Sequence, residues 1–145
     1  MSGEAESELV ARAVATELSS AGLGLTFVFD PNPDIDLKDL AAATLAHVRD
    51  VDEQSSYACR TMTQHDYSIE ICLRRKVASD VSVFIKDLKL TLQTIAEFYR
   101  FKPSVSGRTE RFVQVGSRQI MDDKAIKDML VMKAILVLIF RGWRT

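Results

Sequence analysis

Cysteine, histidine, proline and glycine are all scarce in this chain of 145 residues, which has two, two, three and six of them respectively. Cys59 and Cys72 lie thirteen positions apart and match no zinc-site spacing, and two cysteines cannot make a disulfide framework. Both fall in predicted strands, which reads as two buried thiols; a bond between neighbouring strands is the alternative. Such a composition suits a reducing compartment. His47 and His65 are eighteen residues apart, read as a half-buried strand residue and a solvated turn residue. The glycines are scattered, and Gly22-Leu23-Gly24 opens no helix, so no phosphate cradle is present. No serine or cysteine nucleophile motif occurs. Charge of one sign is also missing: 19 basic against 20 acidic side chains give −1. That excludes a strongly basic protein with a general attraction to nucleic acid or anionic membrane. The longest apolar run, Met129 to Phe140, is broken by Lys133 and covers about a dozen residues where a bilayer needs about 20. The acidic, polar Met1 to Glu8 does not have the pattern of a secretory signal. The carboxylate pairs Asp34/Asp36, Asp50/Asp52 and Asp122/Asp123 lack the spacing and turn glycine of a calcium loop, and read as loop ends or helix starts. No catalytic residue, cofactor or metal is therefore expected.

What is present is ordinary globular material, 47% hydrophobic and 27% charged. A chain of this length suits one domain over 1–145 and hides roughly 68–70% of its unfolded surface without staples. Leu9, Val10, Ala13, Val14, Leu18 and Ala21 recur at helical steps, with Glu6, Glu8, Arg12 and Glu17 opposite, and predict a helix over 4–21. Gly22 and Gly24 stop it. Leu25 to Phe29 is β-branched and aromatic and predicts a strand ended by Pro31 and Pro33. Residues 35–53 fit both periods; the reading is a loop or turn through Leu40 and a strand from about Thr44 to Glu53. Ser56 to Gln64 and Tyr67 to Arg74 alternate as strands, with Gln64-His65-Asp66 as the hairpin turn.

Val81, Phe84, Ile85, Leu88, Leu92, Ile95, Phe98 and Tyr99 form one stripe, predicting a helix over 80–100. Ser79 or Asp80 would cap its start, Arg100 suits its negative end, and Pro103 prevents continuation. After a polar loop, Ser104 to Glu110, a short strand is predicted at 111–115. Met129 to Phe140 reads as a central strand apolar on both faces, with a buried helix as the alternative. The expected class is α+β, one mainly antiparallel or mixed sheet packed against two helices.

Two basic groups could meet phosphate or a partner. Arg74, Arg75 and Lys76 end the clearest strand, and Arg108, Arg111 and Arg118 surround the late one. Charge at a strand end is also how a chain enters solvent, and no aromatic platform for single strands accompanies these residues. Interaction with other subunits through exposed strand edges remains as the function class.

The wording of the segments resembles small phage tail-terminator or tail-completion (head–tail joining) proteins over most of the chain. The likeness is carried by the N-terminal helix and by Phe29-Asp-Pro-Asn-Pro-Asp-Ile-Asp-Leu-Lys-Asp-Leu40. It continues through His65-Asp-Tyr-Ser-Ile-Glu-Ile-Cys-Leu-Arg-Arg75, the amphipathic helix, and a closing strand ending Leu136 to Arg141. Gly142-Trp143-Arg144-Thr145 departs from the family pattern and leaves the end of that strand open. The resemblance implies a virion structural protein and not an enzyme. It implies a ring, commonly a hexamer, seated on the tail tube, which ends tube polymerisation and meets neck or head-completion proteins. Location in the virion tail at the head–tail interface, with assembly in the host cytoplasm, follows from it. So do lumen or partner contacts by Arg74, Arg75, Lys76, Arg108 and Arg111, including passing contact with DNA. A head-closure or connector ring of the neck is the nearest alternative. A small dimeric ligand-binding regulatory domain is the alternative of another class.

Overall fold

In the computed structural model, residues 5–30, 44–59, 61–76, 81–105, 107–122 and 131–144 are described. The loop expected at Pro31–Leu40, the caps Ser79 and Asp80, and the start of the last strand at Met129 lie outside them. The class is α+β. Helices α1 (Glu6–Ser19) and α2 (Val81–Phe101) pack on a mixed sheet of β1 (Phe27–Phe29), β2 (Leu45–Cys59), β3 (Met62–Lys76), β4 (Arg111–Asp122) and β5 (Val131–Arg144). The strand order is β1-β2-β3-β5-β4. β1 runs parallel to β2, and every other pairing is antiparallel.

Period-two alternation on the two central strands sorts the sheet into two faces. Tyr67, Ile69, Ile71 and Leu73 of β3, with Leu136, Leu138 and Phe140 of β5, are buried and belong to one core cluster. Val10, Val14 and Leu18 of α1 and Leu88, Leu92, Ile95 and Tyr99 of α2 complete it. Tyr99 sits edge-on to Phe140 at 5.1 Å between ring centroids, and Phe112 meets Phe140 at 5.9 Å. Ser19 Oγ ties the end of α1 to β1, accepting from the Phe27 amide at 2.8 Å and donating to its carbonyl at 3.1 Å. Gly22 and Gly24, with φ of 77° and 76°, supply the left-handed backbone between these elements.

Several expectations need correction. The two strands predicted at 44–53 and 56–64 are largely one, β2, which ends at Cys59. The reversal comes before Met62 and not at Gln64-His65-Asp66. His65 consequently lies in β3, half-buried, and not in a turn. Cys59 is exposed near the hairpin tip; Cys72 is buried as expected, and both thiols are free. Glu17, placed on the solvent side of its helix, is buried, because it follows Val10 and Val14 at seven- and three-residue steps on the inner face. β4 runs on to Asp122, and β5 is a strand that continues through Gly142 to Arg144.

Candidate functional site

The helix-free face of the sheet carries the other half of the alternation. On β5 it presents Lys133, Ile135, Val137, Ile139 and Arg141, all half-buried, and no described helix packs over them. On β3 it presents Asp66, Ser68, Glu70, Cys72 and Arg74, register partners of Arg141, Ile139, Val137, Ile135 and Lys133. An apolar stripe on β5 thus runs beside a polar and ionic strip on β3. Two forked ion pairs fix this strip. Arg49 of β2 donates to both carboxylate oxygens of Glu70 at 3.1 and 3.2 Å. Arg141 donates to both oxygens of Asp66 at 2.8 and 3.1 Å. Hydrogen bonding to Asp66 holds the Arg141 guanidinium proton more firmly than usual. His47 and Cys72 face each other across β2 and β3 on the same side. Burial, reinforced by Arg74, pushes the His47 imidazole below its ordinary pKa against the pull of Asp30; burial pushes the Cys72 thiol up.

Beyond the helices, β2 and β3 continue as an arm. Val51 through Ser56 are all exposed. β1 pairs with β2 only as far as Val48, so among the described residues the outer edge of β2 past that point carries no partner strand. The arm is backed by the end of β5, where Thr63 and Gln64 face Arg144 and Trp143. On the helix side of the arm lies a polar cluster. Ser55 Oγ is 2.9 Å from His65 Nδ1, and Arg144 binds the Tyr67 hydroxyl and Glu53. At the adjoining sheet end, Arg108 bridges Glu6 and Glu110. Glu110 in turn occupies the space over Gly142, where a Cβ would stand 3.0 Å from its Cγ. Cys59 at the tip has its thiol pKa lowered, first by a hydrogen bond from the Thr61 backbone.

The five basic residues singled out from sequence are not gathered into one patch. Arg74, Arg75 and Lys76 lie at the β5 Lys133 end of the sheet, and Arg111 lies opposite Arg141. Eight strand residues separate those levels, about 27 Å at the rise of a β-strand. Arg74 is buried, Arg75 stands 3.8 Å from Asp87, Arg108 is held between two carboxylates, and Arg111 is exposed. Sequence reasoning missed the arm and the Asp66–Arg141 pair. The usable signal was the unbroken alternation of small or apolar residues from Met132 through Gly142.

A groove of about 530 Å³ lies between the helices, lined in part by Arg12, Thr16, Glu17, Phe98 and Lys102. Its buried carboxylate has the Lys102 ammonium at 3.6 Å, and the Arg12 guanidinium lies 4.4 Å over the Phe29 ring. Burial, with Glu17 adding to it, pushes the Tyr99 phenol far above its ordinary pKa. Among the described residues, no group of three or more His, Cys, Asp or Glu side chains could hold a metal ion. No described helix is long and apolar enough to cross a membrane.

No protein-family model matches the chain, and no curated protein matches it. Among solved structures, a chain from the virion of a native gene transfer agent particle is similar over 92% of this chain and 95% of its own. The identity is 15% and the TM-score 0.46. A likeness of that strength has no bearing on function.

Proposed function

We propose that this chain, as a single domain over 1–145, is a structural protein of a phage-like virion. In this reading it forms a ring on the end of the tail tube, stops tube growth and joins the tail to the neck. It acts by shape and contact and catalyses nothing. The observation that supports this best is the helix-free sheet face. Half of the alternating side chains of β3 and β5, including Ile135, Val137 and Ile139, have no described helix over them. A sheet with one face covered by helices and the other without a described helix over it, and with an arm extending past the helices, offers distinct surfaces for unlike neighbours. Head-to-tail rings use two different patches on each copy and close only when the rotation closes. The resemblance carried by Phe29 to Leu40 and His65 to Arg75 supplies tail termination as the context and six as the number of copies. Arg75, Lys76 and Arg111 are the basic positions assigned to partner proteins or to DNA in the lumen. Arg74 and Arg108 are assigned to holding that surface in shape.

The test uses the full chain with the tail tube protein of the same particle. Native mass spectrometry should give a closed oligomer, and electron microscopy should show it at one end of tubes whose length it limits. A chain that stays monomeric at every concentration and leaves tube length unchanged overturns the reading. Co-purification with portal or adaptor subunits, and not with the tube protein, transfers the role to a neck ring.

A further inference from the structure

Resting on the ring reading, the structure points to which edges meet between copies: we infer that the acidic β2 edge of one subunit, at Asp52, docks on the basic β4 edge of the next, at Arg111. One row of residues crosses the helix-free face from edge to edge. Gln54 of β2 is the register partner of Asp66, Asp66 of Arg141, and Arg141 of Arg111. In the adjacent row, Asp52 leads through Ser68 and Ile139 to Gln114. In these two rows charge changes sign across the sheet, acidic at Asp52 and Asp66 and basic at Arg141 and Arg111; in the next row Arg49 and Glu70 stand in the opposite order and neutralise each other. The middle of the row is satisfied internally by the forked Asp66–Arg141 pair. The charged residues at the outer edges of these two rows are exposed: Asp52, at the β2 end of the second, has Gln54 Nε2 at 3.5 Å, and Arg111, at the β4 end of the first, has an exposed side chain. Setting a second copy beside the first extends the acid–base order across the junction.

Two further observations favour these edges. Each carries an exposed valine at a register shift, Val51 between Asp50 and Asp52 and Val113 between Phe112 and Gln114. The two valines fall within about one residue of the same height on the sheet, at the level of Ile139. With the strands set along the ring axis, the patches must share a height, since patches offset along it generate a filament. Asp52 and Arg111 lie two residues apart in level, about 7 Å, which a long arginine side chain spans. On the outer side of β4 Arg111 bridges Ser104 and the Phe112 amide donates to the Pro103 carbonyl at 2.7 Å, and the shifts bend both edges, so the contact is made by side chains and does not continue the sheet by hydrogen bonding. Each junction then holds a small apolar centre of two valines flanked by opposite charges.

Charge reversal and its compensation test the contact. Asp52→Arg and Arg111→Asp each place like charges at the junction; both sites are exposed, so folding, read by circular dichroism, is retained. Each single variant should need at least about tenfold more protein for half-assembly in native mass spectrometry or light scattering. The double variant Asp52→Arg/Arg111→Asp should assemble again, as should an equimolar mixture of the two single variants. Single variants that assemble like the parent, or a double variant that does not recover, overturn the assigned edges while a parental ring keeps the ring reading intact. A parental chain that never oligomerises removes both.

Discussion

The two faces of β3 and β5 are built on the same backbone and differ only in what lies over them. On one, Ile69, Ile71, Leu73, Leu136, Leu138 and Phe140 are 0% exposed beneath α1 and α2. On the other, the residues one step along β5 are half-buried, those of β3 run from half-buried Asp66 to buried Cys72 and Arg74, and two forked ion pairs lie among them. Hydrophobic stabilisation scales with area taken from water, so the covered face holds the fold together. The helix-free face keeps apolar side chains, Ile135, Val137 and Ile139, only half-buried and with no described helix over them. The covered face thus carries the stability, and the recognition proposed above falls to the rest of the sheet.

The sharpest way to break this comparison is a charge on each face. Ile71→Asp or Leu88→Asp buries an unpaired carboxylate and should cost more than about 4 kcal/mol, leaving no cooperative melting transition. Val137→Asp, from the half-buried face, should keep a cooperative transition, with a loss below about 2 kcal/mol. Equal damage from both would mean that the second face is covered as well. A milder pair sharpens the same contrast. Leu138→Ala empties a fully enclosed site and should cost about 2–5 kcal/mol in denaturant unfolding, while Ile139→Ala should cost less than half as much.

The covered face also predicts a response to alkali. Burial raises the pKa of Tyr99, Tyr67 and, on the other face, Cys72 above their ordinary values of 10.0, 10.0 and 9.0. Each group is neutral when protonated, so the native state resists ionisation that the unfolded chain undergoes freely. The contribution is complete below the unfolded values and is lost as pH rises past about 9 to 10. Melting temperature should therefore fall through that range, and Tyr99→Phe should flatten the fall.

Much of this division was legible in the residues. Helical stripes through Val14 and Leu92 and the alternation from Tyr67 to Leu73 specify their elements because each presents one apolar side at the right period. What could not be read were features that depend on pairing. The turn after Cys59 carries no glycine or proline signal, so His65-Asp66 looked like the better reversal. The alternation predicts β4 only to Val115 because the register shift at Gly116 breaks the period that marks a strand. The bare face itself was invisible, since the β5 pattern of apolar residues on both sides describes equally a strand covered twice. The candidate site suffered most: Arg74 and Arg111 look alike in sequence, yet one is buried and the other exposed about 27 Å away in strand rise.

Glycine separates the faces at a smaller scale. A Cβ at Gly142 would stand 3.0 Å from Glu110 Cγ, and Glu110 is buried and pinned by Arg108. Gly142→Ala should thus lower stability by about 1 kcal/mol despite the gain from restricting the unfolded chain. A Cβ at Gly116 meets Val137 Cγ1 at 3.3 Å and Ile139 Cδ1 at 3.4 Å, both on the bare face where a side chain has room to turn. Gly116→Ala should be close to neutral, within about 0.5 kcal/mol in the same assay.

A small effect on folding is also expected of the forked Asp66–Arg141 ion pair on the helix-free face. Arg141 and Asp66 side chains are 33% and 27% exposed, so solvent screens their attraction even with two hydrogen bonds. Arg141→Ala should cost only about 0.5–1 kcal/mol of subunit stability, and a double-mutant cycle with Asp66→Asn should return a coupling of that order, shrinking in salt. Assembly should respond more strongly than stability. Arg141 stands between Asp66 and Arg111 in the row that reaches the subunit edge, and its loss leaves the Asp66 carboxylate unneutralised beside Arg111. A cycle that finds several kcal/mol within the subunit would place this pair with the core, and the division of labour between the two faces would fail there first.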